Sequence, residues 1–178
     1  LQSKGQLDAA IAEYGRAIAK DPKFKDAYNN RGNIKLEKGD VDGAIADYTK
    51  AIEIAPKDFM GFYNRGAAYL GKEAFDLAEA DLTKCIELMA NYAMAYNNRG
   101  NARYGKGDVA GAKSDYDKAI ELFPEGFQPY FNRANLRQQQ GDLQGSIEDY
   151  SKTISLAPKH ADAYSSRGHS FKLKGDLA

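Results

Sequence analysis

Apolar residues recur along the chain at two nested spacings. At the short spacing, Val41, Ala44, Ile45, Tyr48, Ala51 and Ile52 follow one another by steps of three or one that keep them on one side of a helix. At the long spacing, this stripe and the segment before it return every 34 residues. An aromatic stands at Tyr28, Phe62, Tyr96, Tyr130 and Tyr164. The residues that follow read Tyr28-Asn29-Asn30-Arg31-Gly32, Phe62-Tyr63-Asn64-Arg65-Gly66, Tyr96-Asn97-Asn98-Arg99-Gly100, Tyr130-Phe131-Asn132-Arg133-Ala134 and Tyr164-Ser165-Ser166-Arg167-Gly168. A fixed period of this length decides the architecture before any local signal does.

The punctuation between stripes predicts a helix pair in each unit. The stretch from Tyr28 to Lys38 is long enough for a first helix, Gly39 suits the left-handed position that ends it, and Asp40 can cap the second. The same Gly-Asp step recurs at Gly107-Asp108, Gly141-Asp142 and Gly175-Asp176, and Pro22, Pro56, Pro124 and Pro158 close the units. An isolated pair cannot bury its stripe, so neighbours must stack. The expected fold is an all-α solenoid of antiparallel helix pairs, read as one domain over 1–178. Its complete repeats are 25–58, 59–92, 93–126 and 127–160, with partial repeats 1–24 and 161–178. Repeat 59–92 carries Glu73-Ala74 in place of Gly-Asp and Ala90 in place of proline, so an altered turn is expected there.

These residues resemble the tetratricopeptide repeat family: an aromatic, a glycine four later, an alanine after the turn, an aromatic in the second helix and a closing proline. The resemblance runs the length of the chain, although arginine replaces the family's usual leucine before the glycine. It implies a right-handed superhelix whose first helices line a concave groove. The implied function is a protein-interaction scaffold that takes an extended peptide or a partner helix, and not an enzyme. One subclass clamps the C-terminal carboxylate of chaperones with basic residues and asparagines. Here the slots of those basic residues carry Asn29, Met94 and Asn98, so a clamp of that type is not expected.

Within this frame the first-helix residues divide by side. Tyr28, Arg31, Gly32 and Lys35 share the side that must pack on the second helix, and Asp26, Asn29, Asn30, Asn33 and Glu37 share the other. The arginine column could contact phosphate, but Asp47, Asp81, Asp115 and Asp149 each follow an arginine by 16 residues. A bidentate Arg–Asp pair inside each hairpin is therefore the favoured reading.

Asn30, Asn64, Asn98 and Asn132 form a column on the implied groove side, joined by Asn29, Asn33, Asn97, Asn101 and Asn135. Asparagine is a poor helix former, so the column needs a reason. An amide that both donates and accepts can hold a peptide backbone, and it can equally bridge neighbouring repeats. Tyr63, Tyr104 and Phe131, with Met60, Leu70 and Met94, interrupt the polar slots; they make either a pocket for ligand side chains or ordinary packing between repeats. Asn29, Asn30, Asn33, Asn64, Asn98, Asn101, Asn132 and Asn135, with Tyr63, Tyr104 and Phe131, form the candidate binding set.

Composition narrows the remaining classes. With 43% hydrophobic and 28% charged residues the chain can bury a core, and its 25 basic and 25 acidic residues leave no net charge to attract nucleic acid or anionic lipid. Nucleic-acid and membrane partners are accordingly not expected. Cys85, the only cysteine, stands in a slot held elsewhere by Ala17, Ala51 and Ala119 and reads as a small buried residue. No metal-ligand spacing, phosphate loop or nucleophile grouping is present, and no cofactor is expected. The chain starts without Met and reads as a piece of a longer protein, with a slight lean to a reducing, cytoplasmic setting. Two alternatives stay open: a recognition arm of a larger enzyme, and head-to-tail self-association through the incomplete terminal repeats.

Overall fold

The structure, a computed structural model, describes residues 2–175. Asp176, expected to form a Gly-Asp turn with Gly175, lies outside the described residues. Ten helices are present among those described: α1 (Gln2–Lys20), α2 (Lys25–Glu37), α3 (Val41–Ile54), α4 (Phe59–Gly71), α5 (Phe75–Leu88), α6 (Ala93–Gly105), α7 (Val109–Leu122), α8 (Phe127–Gln139), α9 (Leu143–Leu156) and α10 (Ala161–Lys174). None is long and apolar enough to cross a membrane. The chain divides into two compact units, Leu1–Ala90 and Asn91–Ala178.

In the first unit, α2 pairs with α3 and α4 with α5. Gly39 adopts φ 85° and turns the chain out of α2, and the Asp40 carboxylate then accepts from the Gly43 N–H at 3.0 Å to start α3. In the irregular repeat Glu73 is forced into the same left-handed region at φ 57°, and Ala74 offers α5 no side-chain cap. Ala44, Tyr48 and Ala51 of the expected stripe are buried. A Cβ on Gly32 would sit 2.6 Å from the Tyr48 ring, so only glycine lets α2 approach α3 this closely. Burial pushes the Tyr48 hydroxyl up to about 12, and it donates to Asn33 at 2.8 Å. Cys85 is fully buried, as its alanine slot implies, and burial raises its thiol to about 12.

The second unit repeats the device, with Asp108 accepting from Gly111 and Asp142 from Gly145 at 2.9 Å each. Its core joins Ala112, Tyr116 and Leu136, with Tyr104 and Val109 packed against them. α10 packs chiefly on α9.

Candidate functional site

The first-helix arginines are committed to the fold. Arg31 donates to both oxygens of Asp47 at 2.8 and 2.6 Å, Arg65 to Asp81 at 2.7 and 2.9 Å, Arg99 to Asp115 at 2.9 and 2.7 Å, and Arg133 to Asp149 at 2.8 and 2.6 Å. Each aspartate is buried, and each guanidinium also stacks on a tyrosine of its own helix. A second cation sits one turn further along: Lys35 lies 2.9 Å from Asp47, Arg103 3.0 Å from Asp115 and Arg137 2.9 Å from Asp149. Tyr69 takes that slot in the irregular repeat. This second column escaped the sequence reading, although its signal, a basic residue four after each arginine in three of four repeats, was present.

The asparagine face differs between the units. In the first, α2 and α4 enclose a cleft of about 270 Å³ lined by Lys25, Asp26, Asn29, Asn30, Asn33, Asp58, Met60 and Asn64. Lys25 donates to Asp58 and lies 3.6 Å from Asp26. Burial alone would raise the Asp58 carboxyl, but hydrogen bonds from Lys25 and from the Met60 N–H outweigh it and hold Asp58 below the ordinary carboxylate value. Asn33 spends its carbonyl on Tyr48. The side-chain amides of Asn30 and Asn64 make no hydrogen bond among the described residues. Asn29 is only 9% exposed, and its carbonyl oxygen is buried with no hydrogen-bond partner among the described residues.

In the second unit the corresponding amides are joined to one another. Asn132 donates to the carbonyls of Asn97 at 2.9 Å and Asn101 at 3.1 Å, Asn97 donates to Asn98 at 3.3 Å, and the Tyr116 hydroxyl donates to Asn101 at 2.9 Å. Asn135 accepts from Tyr150 at 2.7 Å. Beside this network lies a mainly apolar cleft of about 280 Å³ that includes Ala93, Met94, Phe123 and Pro129, with Asn97, Asn98 and Gln128 as its polar members.

The aromatic candidates fall in different surroundings. Tyr63 is half-buried on α4. The Tyr104 hydroxyl donates to Gln139. Phe131 packs on Tyr150, with ring centroids 5.8 Å apart, and on His160 at 4.7 Å. His160 caps α10 by accepting from the Ala163 N–H at 3.2 Å. Histidine lies outside the usual capping set, and its neighbours across the repeat are set by tertiary packing.

Stacked helix hairpins with a repeated internal ion pair and a polar first-helix face define an all-α repeat protein of the helix–turn–helix class. The comparisons with known proteins specify it. Family models described as TPR repeat match residues 1–39 and 32–73, and models described as tetratricopeptide repeat match 61–92, 93–125 and 127–160. The chain belongs to the tetratricopeptide repeat family. Among solved structures it is similar to the MamA protein, at 29% identity over 85% of this chain and 83% of that one, with a TM-score of 0.75. It is also similar to the first TPR of Spaghetti (RPAP3), solved bound to the HSP90 peptide SRMEEVD, at 30% identity over 66% of this chain and 93% of that one, with a TM-score of 0.64. YrrB, described as a TPR protein with an unusual peptide-binding site, shares the fold at 20% identity over 92% of this chain and 84% of that one, with a TM-score of 0.73. The search of curated proteins returned no match.

Proposed function

We propose that the chain is a protein-interaction module that holds an extended peptide on the asparagine-bearing face of its first helices, and that it acts by binding and not by catalysis. The observation that carries this reading is the set of uncommitted amides in the first unit. Asn30 and Asn64 line a cleft, make no side-chain hydrogen bond among the described residues, and offer a donor and an acceptor each, the complement of a peptide unit. Their position in helix interiors, where asparagine costs about 0.6 kcal/mol relative to alanine, is explained by a bound backbone and by nothing in their own packing. The Spaghetti domain, which shares 30% identity, supports a peptide as the class of ligand. Arg31, Arg65, Arg99 and Arg133 do not compete for this role, since their forks are occupied by aspartates.

In the second unit, Met94 and Phe123, both 54% exposed, flank Asn97 and Asn98 and provide an apolar wall for a ligand side chain beside the backbone contacts. Tyr63 belongs to the face of the first unit, and the second unit carries a face of its own, Asn98, Asn101, Asn132 and Asn135 with Tyr104 and Phe131, where Asn101 and Asn135 accept from tyrosine hydroxyls. The test is a peptide array probed with the wild-type chain and with Asn30→Ala/Asn64→Ala. The double variant should keep its helicity and melting temperature and lose most array binding. Equal array binding by both proteins would contradict the assignment of this face.

A further inference from the structure

One cysteine and three methionines carry all the sulfur of the chain, and the fold gives them unequal surroundings. Cys85 is fully buried, and burial raises its thiol. Met60 and Met89 are half-buried. Met94 is 54% exposed, and it lines the apolar cleft of the second unit with Ala93, Ala119, Phe123 and Pro129. A thioether is oxidised where an oxidant can reach it, and the reaction turns a flexible apolar side chain into a polar one. Met94 is therefore the sulfur that a dissolved oxidant meets first.

Met60 occupies the same slot 34 residues earlier, and its neighbour is of the opposite kind. Beside Met60 stands Asp58, whose carboxylate accepts from the Met60 N–H at 3.1 Å and also from Lys25. A carboxylate repels the negative oxygen of a sulfoxide. Beside Met94 stands Tyr92, whose hydroxyl donates to the Met94 sulfur at 3.5 Å. That donor is already in place for a sulfoxide oxygen, which accepts far more strongly than the weak thioether acceptor. Met94 is also the second residue of α6, at the end of the helix that favours negative charge. The oxidised side chain thus finds a partner outside the core, and what changes is the cleft.

We propose that Met94 is a reversible oxidation site that switches the second-unit cleft: the thioether form accepts an apolar ligand side chain and the sulfoxide form refuses it. This names a regulation of the peptide-binding face and rests on that reading. The oxidant is a hydroperoxide, in the simplest case hydrogen peroxide. The sulfur lone pair attacks one peroxide oxygen, the O–O bond breaks and an S–O bond forms. Sulfur gives up two electrons, and the departing oxygen takes the proton of the transferred one and leaves as water. In the reverse step a dithiol reductase removes the oxygen as water and is itself oxidised to a disulfide. An apolar side chain can pack against the oxidised cleft only by stripping water from the sulfoxide, a cost that the thioether form does not carry.

Two measurements on the full chain test the proposal. In the first, the chain is treated with hydrogen peroxide and mapped by mass spectrometry over time. Met94 should gain its oxygen several-fold faster than Met60 and Met89, with Cys85 still a thiol. In the second, chain oxidised at Met94 and freed of peroxide is compared with untreated chain on the peptide array and in thermal melts. Binding to peptides with large apolar side chains should fall by about tenfold, the scale of stripping one polar group of water, and return after methionine sulfoxide reductase. Met94→Leu should bind as wild type does and stay insensitive to peroxide, and the melting temperatures of the oxidised and untreated chains should agree.

Oxidation of Met60 or Met89 as early as Met94 would overturn the proposal. Unchanged array binding by the oxidised chain would do the same, as would equal peroxide sensitivity in Met94→Leu. A lowered melting temperature in the oxidised chain would overturn it by placing the effect on the fold and not on the cleft. Those outcomes leave the wider peptide reading standing. Silence of the array towards the untreated chain would sink that reading and the switch together.

Discussion

Asp115 is 3% exposed and receives Arg99 through both oxygens and Arg103 through one. Asp115→Ala removes the buried carboxylate that both guanidiniums share, and breaking a buried pair from one side costs about 3–5 kcal/mol. Denaturant unfolding should show that loss, against a change within about 0.5 kcal/mol for exposed Glu37→Ala. Similar values for the two variants would show that the pair adds nothing to stability. Asp117 offers a test through pH. Burial would raise its carboxyl, but hydrogen bonds from Arg133, at 2.5 Å, and Lys113, at 2.9 Å, outweigh that and hold it below its ordinary value of 3.8. A carboxyl lowered on folding contributes stability that is fully present above its unfolded value and is lost as pH falls through the folded one. Asp117→Asn should therefore lose stability at neutral pH and show a flatter acid limb below about pH 4. Parallel profiles for variant and wild type would contradict the linkage.

The turn between α4 and α5 is the least favourable helix junction in the first unit. Glu73 holds φ 57°, a region that costs a side-chain-bearing residue about 1–2 kcal/mol, where Gly39, Gly107 and Gly141 adopt it freely. Glu73→Gly should stabilise the chain by roughly 0.5–1 kcal/mol after the extra freedom of glycine in the unfolded state is counted, and a fall in the unfolding midpoint would contradict it. The irregular residues were legible in the sequence because the other repeats supply the reference, but the altered turn expected there does not form, since Glu73 takes the glycines' left-handed conformation and only the side-chain cap of α5 is lost. The helix boundaries and the Arg–Asp forks were legible for the same reason: Gly39-Asp40 and the constant step from Arg31 to Asp47 are local signals. The state of the asparagines was not. Whether Asn132 spends its amide on Asn97 and whether Asn64 spends its own on Asn29 depend on distances between adjacent first helices, which spacing along one helix does not supply. The ring packing of Phe131 on His160 is of the same kind, a contact between residues 29 apart that no periodicity encodes.

For the molecule as a whole, the proposed function places recognition on neutral amides, because charge is balanced and Arg31, Arg65, Arg99 and Arg133 are paired within the fold. Peptide affinity should then change by no more than about twofold between roughly 0.05 and 0.5 M salt, where a contact built on exposed ion pairs would weaken steeply as screening shortens their reach. Calorimetric titration of an array-selected peptide at both salt concentrations measures this, and a tenfold loss would point to charge as the driving contact. The central claim, that the asparagine face of the first helices is the binding surface, is tested most directly by amide chemical-shift mapping of the isotope-labelled chain titrated with the same peptide. The account predicts that the side-chain amide signals of Asn29, Asn30 and Asn64 shift with the peptide while Glu79, Lys84 and Glu87 on α5 stay in place. Shifts concentrated on α5, with the asparagine amides unmoved, would contradict it.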